Sequence, residues 1–212
     1  MSRPRIVVFA SGSATDGGSG FENLVEHSRG GDLEADIVAV VSNHEHGGVR
    51  TRADRLGVRF EYFDGSKTYR EMVERFDAQW VALSGWMKKV EGLDPRRTFN
   101  IHPALLSYNY GHFGGKGMYG HHIHEAVKAA YDRGDITETG FTMHFVTDEY
   151  DRGPIFYEHR IPLTPEMDVD EIARQVKDAE HLKQPAMTNA VVHGLIAWDG
   201  KTPSSLKLPP VL

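Results

Sequence analysis

The chain has 212 residues, with 40% hydrophobic and 25% charged side chains, which is ordinary for one globular domain with a proper core. Its formal net charge of -6 disfavours a general nucleic-acid surface, and no stretch approaches the roughly 18 consecutive apolar residues of a membrane span. Because there is no cysteine, disulfides, thiolate metal sites and cysteine nucleophiles are excluded, and the expected partners are small molecules.

The first hundred residues alternate between strand-like and helix-like segments. Residues 1–5 lead directly into a predicted strand and lack the apolar core of a signal peptide, so we expect a cytoplasmic protein. Short β-branched runs predict strands at 5–10, 37–41, 58–63 and 80–83, and helical spacing of apolar residues marks 21–28, 49–56 and 69–76. Strands separated by helices pair in parallel, which predicts a three-layer, Rossmann-like α/β sandwich.

The pattern changes after residue 100. A helix is predicted at 121–133, and 140–146 and 154–161 are consecutive strands joined by a turn, so the sheet should become mixed, with antiparallel strands in its C-terminal part. Segment 168–192 has a helical composition with Pro185 as an interruption, and 201–212 is a Pro-rich extended tail. Because no linker divides the chain, 1–212 is expected to be a single domain, with 1–100 as its nucleotide-binding half.

A polar loop, residues 11–20, separates the first predicted strand from the first helix. Its amides and hydroxyls lie at a positive helix end, where they can hold a phosphate. The loop matches neither common phosphate fingerprint, since no Gly-Lys-Ser follows and the Gly-x-Gly-x-x-Gly spacing is not met. A flexible surface loop is the alternative interpretation. Asp16 also places a negative charge where a phosphate would be repelled.

Asn100 and His102 lie two residues apart on a predicted strand, so both side chains point to the same face. Asp151 lies about fifty residues later in an acidic turn. An amide donor, a proton-shuttling imidazole and an orienting carboxylate are the groups that acyl transfer to an amine requires. In the alternative interpretation, Asn100 is an amide at a strand end whose hydrogen bonds are made, His102 is packed in the core, and the acidic turn is exposed to solvent. Only a contact between Asp151 and His102 would distinguish this turn from an ordinary surface turn.

Histidines also cluster at the start of the predicted helix 121–133, where His121, His122 and His124 accompany Glu125. Two imidazoles one helical turn apart can share a metal ion. The spacing nevertheless differs from that of the His-Glu-x-x-His zinc helix. We therefore expect no metal and a structural or ligand-shaping role for these residues.

Taken together, these segments resemble the glycinamide ribonucleotide formyltransferase family, whose members pass a formyl group from 10-formyltetrahydrofolate to a primary amine in purine biosynthesis. The resemblance covers nearly the whole chain. Its carriers are Ser11-Gly12-Ser13, Val41-Ser42-Asn43, Gly85-Trp86-Met87-Lys88, Asn100-Ile101-His102-Pro103, the stretch 113–120, the segment from His144 to Asp151, and Glu180-His181.

The resemblance implies that Asn100, His102 and Asp151 are catalytic. Amine attack on a formamide builds an oxyanion, which Asn100 and a protonated His102 can stabilise. The implied phosphate contacts are Ser11, Gly12, Ser13, Ser19, Gly20, Lys67 and Lys177, and Glu180 is implied to contact the glycinamide end. The implied folate contacts are Trp86, Met87, Lys88, Lys89, Val90, Val146, Thr147 and Asp148.

The same resemblance makes 101–200 the folate-binding and catalytic half, with 10-formyltetrahydrofolate as co-substrate and a monomer or homodimer as the assembly. Two alternatives stay open. One is a formyltransferase acting on another amine, such as an amino-sugar nucleotide, and the other is a catalytically inactive nucleotide- or folate-binding module.

Overall fold

The computed structural model describes residues 2–108, 113–115 and 117–210. The strands are β1 (Arg5–Phe9), β2 (Asp36–Ser42), β3 (Phe60–Tyr62), β4 (Trp80–Ser84), β5 (Thr98–His102), β6 (Glu138–Phe145) and β7 (Ile155–Pro162). The helices are α1 (Ser19–Gly30), α2 (Gly48–Leu56), α3 (Tyr69–Arg75), α4 (His121–Asp132) and α5 (Val169–Val192). Each predicted strand and helix is confirmed, although β3 is shorter than the predicted segment 58–63.

The strands form one sheet in the order β3-β2-β1-β4-β5-β6-β7. Strands β1 to β5 pair in parallel, whereas β6 runs antiparallel to both β5 and β7. The predicted mixed sheet, parallel first and antiparallel later, is therefore confirmed. The carboxyl ends of β1, β4 and β5 lie side by side at one edge, which is where open α/β sheets bind ligands.

Strand β1 shows why the sheet needs a layer on both faces. Ile6 and Val8 pack in the core formed with α1, α4 and α5, while Val7 and Phe9 pack in a second core with α3. All four side chains are fully buried. A strand that is apolar on both faces is typical of a parallel sheet covered by helices, and the predicted three-layer sandwich follows from it.

Helix α5 continues through Pro185, so the predicted interruption there is wrong. Proline has no N–H to donate to the carbonyl four residues earlier, which belongs to His181. The Asn23 side chain on α1 donates to that carbonyl instead, at 2.9 Å. The tertiary contact supplies the partner that proline removes, and the helix keeps its path along the sheet.

The predicted extended tail 201–212 is held to the body of the protein by hydrogen bonds to residues 197–199 and by Leu206, which packs against the core. Lys207 and Ala197 exchange two backbone hydrogen bonds of 2.8 and 3.2 Å, and Pro203–Ser205 form a short 3-10 turn. Residues 211 and 212 lie outside the described part of the chain. Among the described residues, none of the helices combines the length and apolar character that a membrane crossing requires.

Gly140 in β6 marks a very close approach between the two antiparallel strands. A Cβ atom at this position would lie 1.7 Å from the carbonyl oxygen of His159 in β7, and the backbone φ is +152°. We expect Gly140→Ala to lower the free energy of unfolding by about 3 kcal/mol, because the strand pair must shift to admit a methyl group. Urea denaturation measures this change. Gly30→Ala is the control, since nothing lies within 4 Å of its Cβ position. Equal losses in the two variants would contradict the argument.

Candidate active site

A cavity of about 580 Å³ opens at the carboxyl ends of β1, β4 and β5. We call it the large cavity. Its walls come from the loops after these strands, the first turns of α1 and α4, one face of α5 and the turn between β6 and β7. The residues used below are Gly12, Gly17, Gly18, Ser19, Gly20, Ser84, Met87, Asn100, His102, Tyr150, Asp151, Glu180 and Gln184.

The structure brings Asn100, His102 and Asp151 together at one wall of this cavity. Nδ1 of His102 lies 3.7 Å from one carboxylate oxygen of Asp151. Nε2 of His102 donates to the carbonyl oxygen of Phe113 at 2.5 Å. The other Asp151 oxygen accepts a hydrogen bond of 2.7 Å from the Gly115 amide. The contact between Asp151 and His102 that distinguishes this turn from an ordinary surface turn is therefore present. The catalytic role of the three residues stays a prediction.

His144 connects two members of this group, although no local sequence pattern indicates a role for it. The β5–β6 register places it directly opposite Asn100. Its Nδ1 lies 2.8 Å from the Phe145 carbonyl, which only accepts, so Nδ1 carries the proton. Nε2 then accepts from the Asn100 amide at 3.1 Å and lies 3.5 Å from Asp151. His144 thereby orients Asn100.

The charges in this group follow from burial and from their neighbours. Burial lowers the pKa of His102, although the Asp151 charge and the Phe113 carbonyl oppose the shift. Burial also disfavours the Asp151 carboxylate, but its pKa is still below the usual value, because the imidazoles of His144 and His102 favour the charged form when they carry a proton and the Gly115 amide donates to it. The resting site therefore holds a neutral imidazole beside a carboxylate. The protonated His102 that we invoked from the sequence is not its resting form.

The polar loop 11–20 meets the large cavity mainly with its second half. Residues Gly17, Gly18, Ser19 and Gly20 line the cavity together with Gly12. Helix α1 begins here with Gly18 as its N-cap, at φ +84°, and no side chain caps its first-turn amides. Those amides are the donors that an anion can use.

The first half of the loop uses its donors internally. The Ser11 amide donates to the Gly85 carbonyl at 3.0 Å, and its hydroxyl accepts from the Met87 amide at 3.0 Å. The Ser13 amide donates to the Asp16 carbonyl at 2.7 Å. Ser11 and Ser13 therefore shape the loop in this structure.

Two features set the charge around the loop. The Asp16 side chain is 81% exposed and pairs with Arg52 at 3.2 Å, so the Arg52 charge offsets part of the repulsion that a phosphate would meet here. The pKa of Asp16 is lowered mainly by a hydrogen bond from the Gly17 amide, with Arg52 and Lys177 contributing. Lys177 is exposed on α5, three residues before Glu180. Lys67 instead pairs with Glu61 at 2.9 Å beside the edge strand β3, so the structure does not bring it to the described cavity wall.

A second, small cavity of about 50 Å³ adjoins the large one. Trp86, Asn100, Tyr150 and Asp151 line both cavities. Among the predicted folate contacts, the small cavity is lined by Trp86, Lys88, Lys89, Val90, Val146 and Thr147, whereas Met87 lines the large cavity and Asp148 borders a third one. The eight residues therefore surround one region.

Trp86 is fixed by the core beneath it. Its ring packs edge-on against Phe9, Phe63 and Tyr69. Its Nε1 donates to the Tyr69 hydroxyl at 3.2 Å, and that hydroxyl donates to the Lys89 carbonyl at 2.8 Å. The chain from 86 to 89 is thus tied to α3, which gives the small cavity a rigid floor.

Glu180 lines the large cavity from α5, one helical turn before Gln184. Burial raises the pKa of Glu180 to about 8. The carboxyl group is therefore largely protonated at neutral pH until a donor or cation approaches it. Gln184 was not singled out in the sequence, where a glutamine in a polar helix carries no signal.

Among the described residues, no group of three or more histidine, aspartate or glutamate side chains is arranged to hold a metal ion. His121 and His122 lie 3.9 and 3.0 Å from Glu125 at the surface of α4. His124 turns inward and is buried, and its Nδ1 has no hydrogen-bond partner in the described part of the chain. This histidine is a structural residue whose neutral form fits the core.

His124 makes stability depend on pH. Burial, followed by the charges of His121 and His102, lowers its pKa to about 4. The unfolded chain, with a histidine pKa near 6.5, binds the proton first, so this stability is complete above pH 6.5 and is lost as pH falls toward 4. We expect a loss of about 3 kcal/mol over this range, and His124→Leu should remove most of it. Urea titrations at several pH values measure it. The exposed His46→Leu variant should follow the wild type, and a His124→Leu variant that also does so would refute this origin.

Comparison with known proteins identifies the family. A family model described as "Formyl transferase" matches residues 4–188. The chain belongs to the formyl transferase family. It is 31% identical over 211 residues to the chloroplastic phosphoribosylglycinamide formyltransferase of Vigna unguiculata, covering 93% of this chain and 64% of that relative. It is also 31% identical to the Arabidopsis thaliana protein of the same name, covering 92% of this chain and 68% of the relative. The chain thus spans about two thirds of these relatives' length.

Solved structures of this family share the fold. Glycinamide ribonucleotide transformylase 1 from Symbiobacterium toebii superimposes with a TM-score of 0.79 at 25% identity, covering 98% of this formyl transferase chain and 95% of its own. Phosphoribosylglycinamide formyltransferase from Brucella melitensis superimposes with a TM-score of 0.70 at 27% identity, covering 92% and 98%. Of the stretch 113–120 that carried part of the resemblance, Lys116 lies outside the described residues.

Proposed function

We propose that this formyl transferase moves the formyl group of 10-formyltetrahydrofolate to the amine of glycinamide ribonucleotide, a step of purine biosynthesis. The observation that carries the proposal is the position of Asn100 and Asp151, which line both cavities where these meet, with His102 beside them in the large one. An anion-binding helix start lies at one side of this junction, and a slot for a flat ring lies at the other. The names of the plant relatives support the same acceptor.

The chain's own groups can supply each proton and charge that the reaction needs. The folate donor supplies an acyl carbon, whose oxygen gains negative charge as the amine attacks. The Asn100 amide has two hydrogens and gives one to His144, so the second can bind that oxygen. His102 can accept the amine proton at Nδ1, because its Nε2 is committed to Phe113. The resulting imidazolium is stabilised by Asp151 and can pass its proton to the leaving nitrogen.

The acceptor nucleotide can be placed from its charged groups. We assign the phosphate to residues 18–20 and not to Ser11 or Ser13, since the amides of both serines donate to carbonyls within the protein. In this assignment Lys177 adds positive charge for the phosphate, and Gly12 forms part of the wall of the large cavity. Glu180 lines the same cavity from α5, and its carboxyl group suits an amide or ammonium donor of the glycinamide end.

The folate can be placed beside the small cavity. Val90 is buried and Val146 is partly buried there, so the lining offers apolar surface interrupted by main chain, as a flat heterocycle requires. Lys88 and Lys89 are exposed at its rim, where they can attract a folate carboxylate. In this placement N10 of the folate lies at the junction with the large cavity, next to Asn100.

A direct assay tests the proposal. Purified protein is mixed with 10-formyltetrahydrofolate and glycinamide ribonucleotide, and formylated product is measured by mass spectrometry. A parallel reaction replaces the acceptor with an amino-sugar nucleotide. We expect product only with glycinamide ribonucleotide. Product only with the amino-sugar nucleotide would show that this nucleotide, and not glycinamide ribonucleotide, is the acceptor. Tight binding of both substrates without product would favour an inactive binding module.

We also propose that the protein acts in the cytoplasm as a monomer or homodimer. Fluorescence microscopy of a C-terminally tagged protein and light scattering of the purified chain test the two statements. An organellar signal, or a trimer or larger assembly, would overturn the corresponding one.

A further inference from the structure

Gln184 is a buried carboxamide in the wall of the large cavity. Its side chain is 1% exposed, and it lies one helical turn after Glu180 on the same face of α5. Nε2 donates to the hydroxyl of Ser84, at 3.3 Å. Ser84 ends β4 and is itself 8% exposed. Burying a carboxamide costs free energy unless its hydrogen bonds are made, so an apolar side chain would be the cheaper choice here.

The start of α1 is fitted closely around this pair. A Cβ atom on Gly20 would lie 2.2 Å from the Ser84 hydroxyl and 3.4 Å from Oε1 of Gln184. Gly20 is therefore the residue that lets the first turn of α1 reach the Ser84–Gln184 pair. The proposed phosphate site and this pair are consequently neighbours.

The pair also lies next to the reacting end of the cavity. Ser84 directly follows Leu83, which is paired with Asn100 in the β4–β5 register. Ser84 and Gln184 therefore share one cavity with residues 18–20, where we place the phosphate, and with Asn100, where we place the attacking amine. The pair is thus available to the part of the acceptor that joins these two ends. In a glycinamide ribonucleotide the group between phosphate and glycinamide is the ribose.

The chemistry of a carboxamide suits this middle group. A ribose hydroxyl both donates and accepts, and a carboxamide offers two N–H donors together with an acceptor oxygen, of which Ser84 occupies one donor. A phosphate would instead call for donors only, and an ammonium for acceptors only. We propose that Gln184, held in place by Ser84, is a specificity-determining residue that recognises a ribose hydroxyl of the acceptor. This inference rests on the proposed function.

Deoxy analogues of the acceptor test it. The wild-type enzyme should prefer glycinamide ribonucleotide over the 2′-deoxy or the 3′-deoxy analogue by about tenfold in kcat/KM, because the analogue leaves Gln184 unpaired. Gln184→Leu should bring that ratio close to one, chiefly by raising KM for the ribonucleotide. Gln175→Leu, on the same helix and bonded to Glu171, is the matched control and should keep the wild-type ratio. An unchanged ratio in Gln184→Leu, or no preference in the wild type, would overturn the inference.

Two further measurements keep the test decisive. Should Gln184→Leu not fold, Ser84→Ala takes its place, with an expected loss of about threefold in the same ratio because the carboxamide loses its support. Should the wild type transfer no formyl group, the proposed function fails. The inference about Gln184 is then tested by calorimetry, which compares the binding of ribose 5-phosphate with that of its 2-deoxy and 3-deoxy analogues. A preference for ribose 5-phosphate that Gln184→Leu abolishes supports it. Equal binding of the three sugars by the wild type refutes it.

Discussion

Asp151→Asn should lower kcat for formyl transfer by about 10³-fold while leaving the fold intact. The substitution keeps the shape of the side chain but removes the charge that lies 3.7 Å from His102 and 3.5 Å from His144. His102 then gains its proton in a buried site with no counter-charge, which raises the barrier at the step where the amine loses its proton. Stopped-flow or steady-state assays of product formation measure the loss.

The pH profile of the same variant separates this effect from simple damage. In the wild type, kcat/KM should rise with pH as His102 loses its proton, with a midpoint below 6.5 because burial lowers that pKa. The Asp151 charge opposes the lowering. Its removal in Asp151→Asn should therefore move the midpoint to still lower pH. Asp135→Asn, at an exposed position that pairs with Arg133, should keep the wild-type rate and profile. A midpoint that moves upward in Asp151→Asn would contradict the assigned pairing.

His102→Ala is expected to reduce kcat by about 30- to 10³-fold, equivalent to about 2 to 4 kcal/mol of barrier, with a smaller change in KM. The imidazole is the group placed to accept the amine proton, and alanine leaves Asp151 without the partner it stabilises. Asn100→Ala should cost a similar amount, because the amide that we assign to the formyl oxygen is lost. Kinetics with both substrates saturating measure these effects.

A surface histidine provides the control for these two variants. His122→Ala removes an exposed side chain that pairs with Glu125 on α4, and it should leave kcat unchanged. Circular dichroism and thermal unfolding establish that each variant is folded. Near wild-type turnover by a folded His102→Ala protein would refute the catalytic assignment.

The fold was predictable because its signals are local. Buried parallel strands such as β1 and β4 consist of unbroken apolar runs, and the intervening helices have apolar residues at helical spacing. Pro185 was misjudged because the local rule considers only the lost N–H. The hydrogen bond that compensates for it comes from Asn23, which lies 158 residues away on another helix. Tertiary partners of this kind leave no trace in the local pattern.

The candidate site was predictable where strand geometry alone decides it. Asn100 and His102 share a face because side chains alternate along a strand. His144 depends on the antiparallel register between β5 and β6, and Gln184 depends on how α5 packs against β4, so neither could be assigned from periodicity. The two halves of the loop 11–20 likewise became distinct only once Ser11 and Ser13 were seen to bind the protein itself.

The small cavity, at about 50 Å³, has less than a tenth of the volume of the large one and admits a few water molecules at most. In the folate placement that we propose, a bicyclic pterin enters only those molecules of the ensemble in which the turn 146–151 has moved away from residues 86–90, which α3 holds in place. The measured dissociation constant then equals the intrinsic constant divided by the open fraction. A protein that is open about one time in a hundred binds about a hundredfold more weakly than its contacts allow. Substitutions that favour opening would thus tighten folate binding without touching the ligand.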